Sequence, residues 1–271
     1  MPDAEPGIQE GFTIMTTKNI IPLSTVDWYG RAATVVFLMG CPFRCTYCQN
    51  HALLEMGKLT SEPADVEAIK SEIAKNSLLI SAVVFTGGEA FQQFDALRSL
   101  AEFARSRGLM VGVETNGYYT DRIRQAIEER LVDLICMDVK APLEPNGAPY
   151  LKICGIDAAH RVSESLKLYK LCRENKIDFE VRTTVFPDIT DSPQEIRSIT
   201  SSIRELAGDV RYIIQQGIPE HAWKKAEVSG TSGTPYTRDE LLTLARNATV
   251  ILSDVRIRTK EFGEECVSAS H

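Results

Sequence analysis

GCPFRCTYCQN, residues 40–50, places Cys41, Cys45 and Cys48 on one short stretch of chain. The stretch follows AATVVFLM (residues 32–39), whose length and β-branched side chains predict a fully buried strand. A loop at the end of such a strand can point three thiolates at one centre. The chain has 7 cysteines, and those outside this loop are scattered. This distribution indicates a metal site plus ordinary thiols and does not fit a disulfide framework.

The number of cysteines in the loop limits what it can bind. A structural zinc ion takes four protein ligands, and His51 is the only local residue that could supply the fourth. A cluster of four irons and four sulfides has four irons to ligate. Three thiolates leave one of those irons open to a substrate or cofactor. A zinc loop and a simple iron–sulfur electron carrier remain alternatives at this point, although an electron carrier has no use for an open iron.

Beyond the loop, strand-like and helix-like segments alternate about six times, which predicts a parallel sheet with right-handed crossovers. The predicted strands are 32–39, 82–85, 109–113, 132–139, 177–186, 210–215 and 249–255. The predicted helices are 63–77, 91–107, 120–130, 158–174, 193–206 and 237–246. Six units are too few for an eight-stranded barrel. We therefore expect an α/β fold with a partial barrel over residues 19–260, a loose N-terminal tail (1–18) and a C-terminal tail (261–271).

Composition narrows the class of protein. The chain has 271 residues, a formal net charge of −7, 44% hydrophobic and 25% charged residues. A strongly cationic nucleic-acid surface is not expected at this charge. The apolar run 32–43 is shorter than the roughly 20 residues that a bilayer requires, so no membrane span is expected. The acidic opening MPDAEPGIQE lacks the apolar core of a signal peptide. The expected location is the cytoplasm.

The C-x3-C-x2-C spacing, with the aromatic Tyr47 before the third cysteine, resembles the radical S-adenosylmethionine (radical SAM) superfamily. The resemblance implies a partial (βα)6 barrel and a four-iron, four-sulfur cluster ([4Fe-4S]) held by Cys41, Cys45 and Cys48. It also implies that the open iron binds SAM. The reduced cluster then cleaves SAM, and the resulting 5′-deoxyadenosyl radical abstracts hydrogen from a substrate.

Polar residues at the ends of the later strands carry further resemblance. In the family, Gly87, Gly88 and Glu89 would hold the amino group of SAM, although Ala90 stands where proline is usual. Glu114 would lie near SAM or a monovalent cation, Asp138 and Lys140 would touch SAM, and Arg182 would face its carboxylate. Tyr47 completes the expected cofactor contacts. Each feature also has a plain alternative: a turn at 86–89, a surface acid at 114, an ion pair at 138–140 and a structural ion pair at 182. Gln215, Gln216 and His221 stay undecided.

The stretch LSTVDWYGR (residues 23–31), taken with the cysteine loop, resembles the glycyl-radical-enzyme activases. Within that branch it is similar to the activating proteins of anaerobic ribonucleoside-triphosphate reductase. The resemblance implies a glycine Cα–H of a partner protein as the substrate, with reduced flavodoxin or ferredoxin as the electron donor. The alternatives are activation of a pyruvate formate-lyase-like enzyme, or a radical reaction on a small molecule, a peptide or RNA.

Overall fold

A single sheet of nine strands organises the computed structural model, which describes residues 20–54, 66–224 and 234–268. The strands lie side by side in chain order. They are β1 (Ile20–Ser24), β2 (Ala33–Leu38), β3 (Ala82–Gly87), β4 (Met110–Thr115), β5 (Leu134–Asp138), β6 (Asp178–Val185), β7 (Arg211–Gln216), β8 (Val255–Thr259) and β9 (Gly263–Cys266). Strands β2 to β8 are parallel, whereas β1 and β9 are antiparallel edge strands.

Helices connect the parallel strands. They are α1 (Val66–Asn76), α2 (Phe94–Ser106), α3 (Thr120–Glu128), α4 (Ala148–Cys154), α5 (Ala159–Leu166), α6 (Tyr169–Glu174), α7 (Pro193–Leu206) and α8 (Arg238–Thr249). The three short helices α4 to α6 share the connection from β5 to β6, and each other crossover has one α-helix within the described residues. Six strand–helix units followed by a closing parallel strand confirm the predicted (βα)6 pattern.

The sheet has an apolar core on each side. The larger core lies between the sheet and the helices and contains residues such as Ile69 on α1 and Leu97 on α2. The smaller core lies on the other face, towards the amino ends of the strands. Trp28 belongs to this inner core and covers Gly112 of β4, where an added Cβ would lie 3.0 Å from the indole ring. Residues 23–31 therefore help to close this end of the fold.

Two predictions at the carboxyl end of the chain are wrong. The strand predicted at 249–255 begins only at Val255, because α8 continues to Thr249. The tail predicted from residue 261 contains β9, which pairs with β8. Both strands were missed because they contain charged residues. Arg256 and Arg258 alternate with apolar residues on β8, and both pair with Glu264 of β9. A search for apolar segments does not detect strands whose side chains form ion pairs on one face of the sheet.

Smaller differences concern the connections. The helix predicted at 158–174 is divided into α5 and α6. At the division, the N–H of Leu168 bonds to the carbonyl of Ser165, three residues back, which tightens the turn. Strand β1 and helix α4 were not predicted. The predicted tail 1–18 and the first residues of the predicted helix 63–77 lie outside the described residues. No helix in the described ranges is long and apolar enough to cross a bilayer.

Candidate active site

A cavity of about 400 Å³ lies at the carboxyl ends of the parallel strands. Its walls include Thr86 on β3 and Arg258 on β8. Neighbouring strands lie about 4.8 Å apart, so a flat sheet would separate β3 from β8 by roughly 24 Å. The sheet therefore curls until these strand ends face one another, as in a partial barrel. The carboxyl edge is also where βα barrels place their active sites.

The cysteine loop that follows β2 forms one wall of this cavity. Cys41, Cys45 and Cys48 all line it, and so does the ring of Tyr47. Arg44, between two lining residues, is exposed and is not part of the wall. The structure therefore brings the three predicted cluster ligands to one side of one cavity.

Backbone hydrogen bonds fix the cysteine loop to two distant segments. The N–H of Arg44 donates to the carbonyl of Cys154 at the end of α4 over 2.7 Å. On the other flank, the N–H of Trp223 donates to the carbonyl of Cys48 over 3.1 Å. The loop is thus held in place by backbone contacts that do not involve a bound group.

The protein environment keeps two of the three thiols protonated. Burial raises the pKa of Cys41 far above its usual range and that of Cys48 to about 11. The pKa of Cys45 is lowered, chiefly because the Cys154 thiol donates a hydrogen bond to it. A bound metal must displace the protons of Cys41 and Cys48, so its binding will be coupled to proton release.

The residues of this wall fit an iron–sulfur cluster with SAM better than zinc. The hydroxyl of Tyr47 is buried and has no hydrogen-bond partner among the described residues, although its ring stacks on Phe186 at 4.9 Å. A bound ligand would satisfy such a group. His51, the only local fourth zinc ligand, is exposed, stacks on Trp223 and does not line the cavity. Within the described ranges, no three Cys, His, Asp or Glu residues are grouped to hold one metal ion, whereas the thiolates of a four-iron cluster bind separate irons.

Gly87 and Gly88 let the end of β3 approach the start of the cysteine loop. A Cβ added to Gly87, which has φ +116°, would lie 2.3 Å from the carbonyl oxygen of Leu38. One added to Gly88 would lie 2.1 Å from the carbonyl oxygen of Gly40. The N–H of Gly88 donates to Leu38 and the N–H of Glu89 donates to Gly40, both over 2.8 Å. Only glycine leaves room for this approach, and both glycines line the cavity.

The position of Glu89 differs from the expected contact with the amino group of SAM. Its side chain is 1% exposed and does not line the cavity. Its carboxylate accepts hydrogen bonds from the N–H of Asn116 (2.7 Å), the hydroxyl of Thr115 (2.8 Å) and the N–H of Phe91 (3.1 Å). Burial nevertheless raises its pKa to about 7. Glu89 supports the turn after β4, and the neighbouring glycines face the cavity.

Arg182 also differs from expectation. It is 4% exposed, does not line the cavity, and donates to the carboxylates of Glu114 and Glu180. Its partners in this structure are those of a structural ion pair. Glu114 does line the cavity, where it also accepts a hydrogen bond of 2.7 Å from the hydroxyl of Thr86. Arg182 therefore holds an acid that faces the site.

Asp138 and Lys140 both line the cavity, and their charged groups are 2.7 Å apart. Burial alone would lower the pKa of Lys140, but the neighbouring negative groups, with the Asp138 carboxylate first among them, together hold that pKa well above its usual range. Lys140 is therefore a permanent cation beside the cysteines. Its ammonium lies 5.8 Å from the centre of the Tyr47 ring.

Of the three residues that the sequence left undecided, two line the cavity and one does not. Gln215 and Gln216 line the cavity. The amide of Gln216 is engaged at both ends, since it donates to the carbonyl of Tyr236 (2.7 Å) and accepts from the N–H of Lys260 (2.9 Å). His221 is exposed and is not part of the wall.

Sequence reasoning missed two residues that contact the predicted cluster ligands. The side-chain amide of Asn116 donates to Sγ of Cys41 over 3.4 Å, and Cys154 contacts Cys45. Asn116 had one local signal, because it directly follows β4 at the carboxyl edge of the sheet. Cys154 had none, because only the folding of α4 against the cysteine loop brings it there.

Comparison with known proteins gives the same assignment. Residues 35–198 match the model of the Radical SAM superfamily. The "Putative glycyl-radical enzyme activating enzyme" of Methanocaldococcus jannaschii is 31% identical over 89% of this chain and 95% of its own length. The pyruvate formate-lyase-activating enzyme of Clostridium pasteurianum is 27% identical over 64% of this chain and 70% of its own. The 7-carboxy-7-deazaguanine synthase of Hyperthermus butylicus is 42% identical, but over only 32% of this chain and 36% of its own.

A solved structure supports the fold independently. A radical SAM methyltransferase from Sphaerobacter thermophilus superposes with a TM-score of 0.66, covering 86% of this chain and 67% of its own at 13% identity. At that identity the likeness concerns the fold alone. Three other observations agree with this likeness: the family match over more than half of the chain, the curved parallel sheet and the three-cysteine wall. The chain is an enzyme of the radical SAM superfamily, whose members use a [4Fe-4S] cluster and S-adenosylmethionine.

Proposed function

We propose that this enzyme is an activase that cleaves SAM reductively and generates a glycyl radical on a partner enzyme. The M. jannaschii relative, similar over nearly its whole length, carries the name of such an activating enzyme. The C. pasteurianum relative activates pyruvate formate-lyase. Both similarities extend well beyond the cysteine loop, which supports this branch of the superfamily over others.

One observation carries the proposal. The three-cysteine wall and the polar strand ends of β3, β4 and β5 enclose the same cavity. A thiolate set alone would suit an electron carrier. The adjoining glycines, acids and lysine supply the contacts that a bound amino acid and nucleoside need. An electron carrier binds no such ligand and does not need these contacts.

Each lining residue receives a role in this proposal. Cys41, Cys45 and Cys48 hold the cluster. When bound, the reduced cluster and SAM supply the electron and the 5′-deoxyadenosyl group that abstracts hydrogen. Lys140 pairs with the SAM carboxylate, as a buried permanent cation can. The hydroxyl of Tyr47, which has no hydrogen-bond partner in the described part of the chain, serves the nucleoside.

The remaining polar groups orient the amino acid part of SAM. The backbone at Gly87 and Gly88 approaches the amino group, where a side chain would block it. Glu114 and Asp138 place two negative charges on the cavity wall, which favour the ammonium and sulfonium of SAM. Glu89 and Arg182 act through other residues: Glu89 fixes the turn that bears Asn116, and Arg182 holds Glu114.

The partner we propose is anaerobic ribonucleoside-triphosphate reductase, with reduced flavodoxin or ferredoxin as the electron donor in the cytoplasm. The resemblance of residues 23–31 and of the cysteine loop supports this choice. A glycine Cα–H suits the chemistry, because glycine has no side chain to hinder approach and its radical is delocalised over the flanking amides.

A second candidate is a radical reaction on a small molecule. The similarity to 7-carboxy-7-deazaguanine synthase favours it, but covers only about a third of either chain. The activase relatives cover far more, and we therefore rank this candidate lower.

The decisive experiment is electron paramagnetic resonance on anaerobically reconstituted enzyme mixed with SAM, dithionite and a purified anaerobic ribonucleoside-triphosphate reductase. A glycyl doublet is expected, and it should be absent with the Cys45→Ala variant. Release of 5′-deoxyadenosine without a doublet on this reductase or on a pyruvate formate-lyase would favour the small-molecule candidate. No 5′-deoxyadenosine at all would contradict both.

A further inference from the structure

The outer side of the cysteine loop carries cations in a chain whose net charge is −7. We call the basic face the exposed surface formed by Arg44 of the loop, Leu151 and Lys152 of α4, and Arg161 of α5, together with the half-buried Tyr118. Leu151 is 57% exposed, an unusual position for a large apolar side chain. Exposed apolar side chains among polar neighbours are common at protein interfaces.

Ring and backbone contacts link Arg44, Tyr118 and Arg161 of the basic face and join the cysteine loop to the end of α4. The guanidinium of Arg44 lies on the cysteine loop itself and donates to the carbonyl of Cys41 over 2.7 Å. The adjacent Phe43 ring meets the Tyr118 ring at 5.9 Å, and the Arg161 guanidinium lies 4.6 Å from the centre of Tyr118. On the other flank, the backbone of Arg44 bonds to Cys154, the last residue of α4.

The positive charge of this face is not cancelled locally. Among the described residues, Arg44, Lys152 and Arg161 form no ion pair with an acid. Two acids lie near Arg161 along the chain: Glu164 pairs with Lys167, and Asp157 lies against Gly147 at the opposite end of α4. Several other cations of the helices, such as Arg98 and Arg105, are paired with carboxylates.

We propose that the basic face is the docking site of the electron donor, a small acidic protein that carries a flavin or an iron–sulfur centre. This inference rests on the proposed function only in that the cluster must be reduced before SAM can be cleaved. One electron leaves the donor's centre and enters the cluster, and no atom is transferred. Because electron transfer slows steeply with distance, a donor seated on Arg44 occupies a favourable position, one residue from Cys45.

The same geometry argues against the partner enzyme as the occupant. A glycine must enter the cavity to meet the 5′-deoxyadenosyl group. Arg44, Lys152 and Arg161 do not line that cavity. The basic face thus gives access to the cluster from outside while the cavity stays available to the substrate.

The test uses the reconstituted enzyme with Lys152 and Arg161 both changed to Glu, which leaves the cysteine loop intact. The readouts are the affinity for flavodoxin and the rate of 5′-deoxyadenosine release, driven by reduced flavodoxin or by dithionite. At low ionic strength we expect affinity and flavodoxin-driven rate to fall about tenfold or more, as for lost electrostatic steering. Raising the salt should shrink the difference. Iron content and the dithionite-driven rate should equal those of the wild type.

A matched control changes Lys170 and Arg246 to Glu, which alters the net charge equally. These residues lie on α6 and α8, away from the cysteine loop, and are exposed. Equal behaviour of the two double variants with flavodoxin and with ferredoxin would overturn the proposal. The proposal would also be overturned if the Lys152 and Arg161 double variant kept donor-driven SAM cleavage but lost glycyl radical formation. That result would mean that the basic face binds the partner enzyme. A donor effect without any glycyl radical would instead contradict only the proposed function.

Discussion

The side-chain amide of Asn116 donates a hydrogen bond to Sγ of Cys41 over 3.4 Å, joining the turn after β4 to the cluster loop. The backbone N–H of the same asparagine donates to the buried carboxylate of Glu89. One residue therefore connects a predicted cluster ligand to Glu89. Hydrogen bonds to sulfur ligands raise the reduction potential of iron–sulfur clusters.

Changing Asn116 to Asp should lower the reduction potential of the cluster. Aspartate keeps the acceptor that Asn116 offers to the N–H of Tyr118 but removes the donor to Cys41 and adds negative charge. Potentiometric titration followed by electron paramagnetic resonance measures the effect. Asn116→Ala, which removes the donor without adding charge, should shift the potential in the same direction by less. An unchanged potential in both variants would show that Asn116 only shapes the turn.

Glu89 should make the stability of the cluster-free protein depend on pH. Its folded pKa of about 7 lies above the ordinary value of 4.5, so the folded state binds the proton more tightly than the unfolded state. Stability should fall as the pH rises from 4.5 to about 7, by about 3 kcal/mol for this group.

Urea denaturation of the wild type and of Glu89→Gln across this pH range tests the prediction. The difference between their unfolding free energies should change with pH, because glutamine cannot titrate. Parallel curves for the two proteins would mean that Glu89 is not perturbed. The absolute stability of the variant does not enter the comparison.

Alanine in place of Cys41, Cys45 or Cys48 should abolish cluster binding. Each thiolate is expected to ligate its own iron, so none can substitute for another. Iron and acid-labile sulfide after anaerobic reconstitution give the measurement. Cys266→Ala is the control, since this cysteine is exposed on β9 and should leave the iron content unchanged. Wild-type iron in any of the three loop variants would remove that cysteine from the ligand set.

Arg182→Met should destabilise the fold by about 3–5 kcal/mol, because it leaves two carboxylates, on Glu114 and Glu180, without their buried partner. Denaturant unfolding of the cluster-free protein measures the loss. Arg246→Met, at an exposed position on α8, should change stability by less than about 0.5 kcal/mol. A stable Arg182→Met protein that binds SAM weakly would restore the contact with the SAM carboxylate first expected from the sequence.

The sequence predicted well where function depends on local spacing. The loop with Cys41, Cys45 and Cys48 and the alternation of strands with helices are short-range patterns. Gly87 and Gly88 are informative for a similar reason, because a residue without a side chain allows a close backbone approach in any context. Strands β8 and β9 escaped prediction, because Arg256 and Arg258 are tolerated in a sheet only when a partner such as Glu264 faces them.

By itself, the sequence determined the family and the alternation of parallel strands with helices, and it predicted the cluster ligands, because each is encoded in consecutive residues. Only the tertiary structure shows that Glu89 and Arg182 are buried and bonded to neighbouring residues, outside the cavity lining. Whether a charged group contacts a ligand or supports a neighbour depends on its burial and on partners that come from other strands. Glu114 faces the cavity while Arg182, the residue that holds it, lies beneath the wall. That distinction arises only when β4 and β6 fold into the same curved sheet.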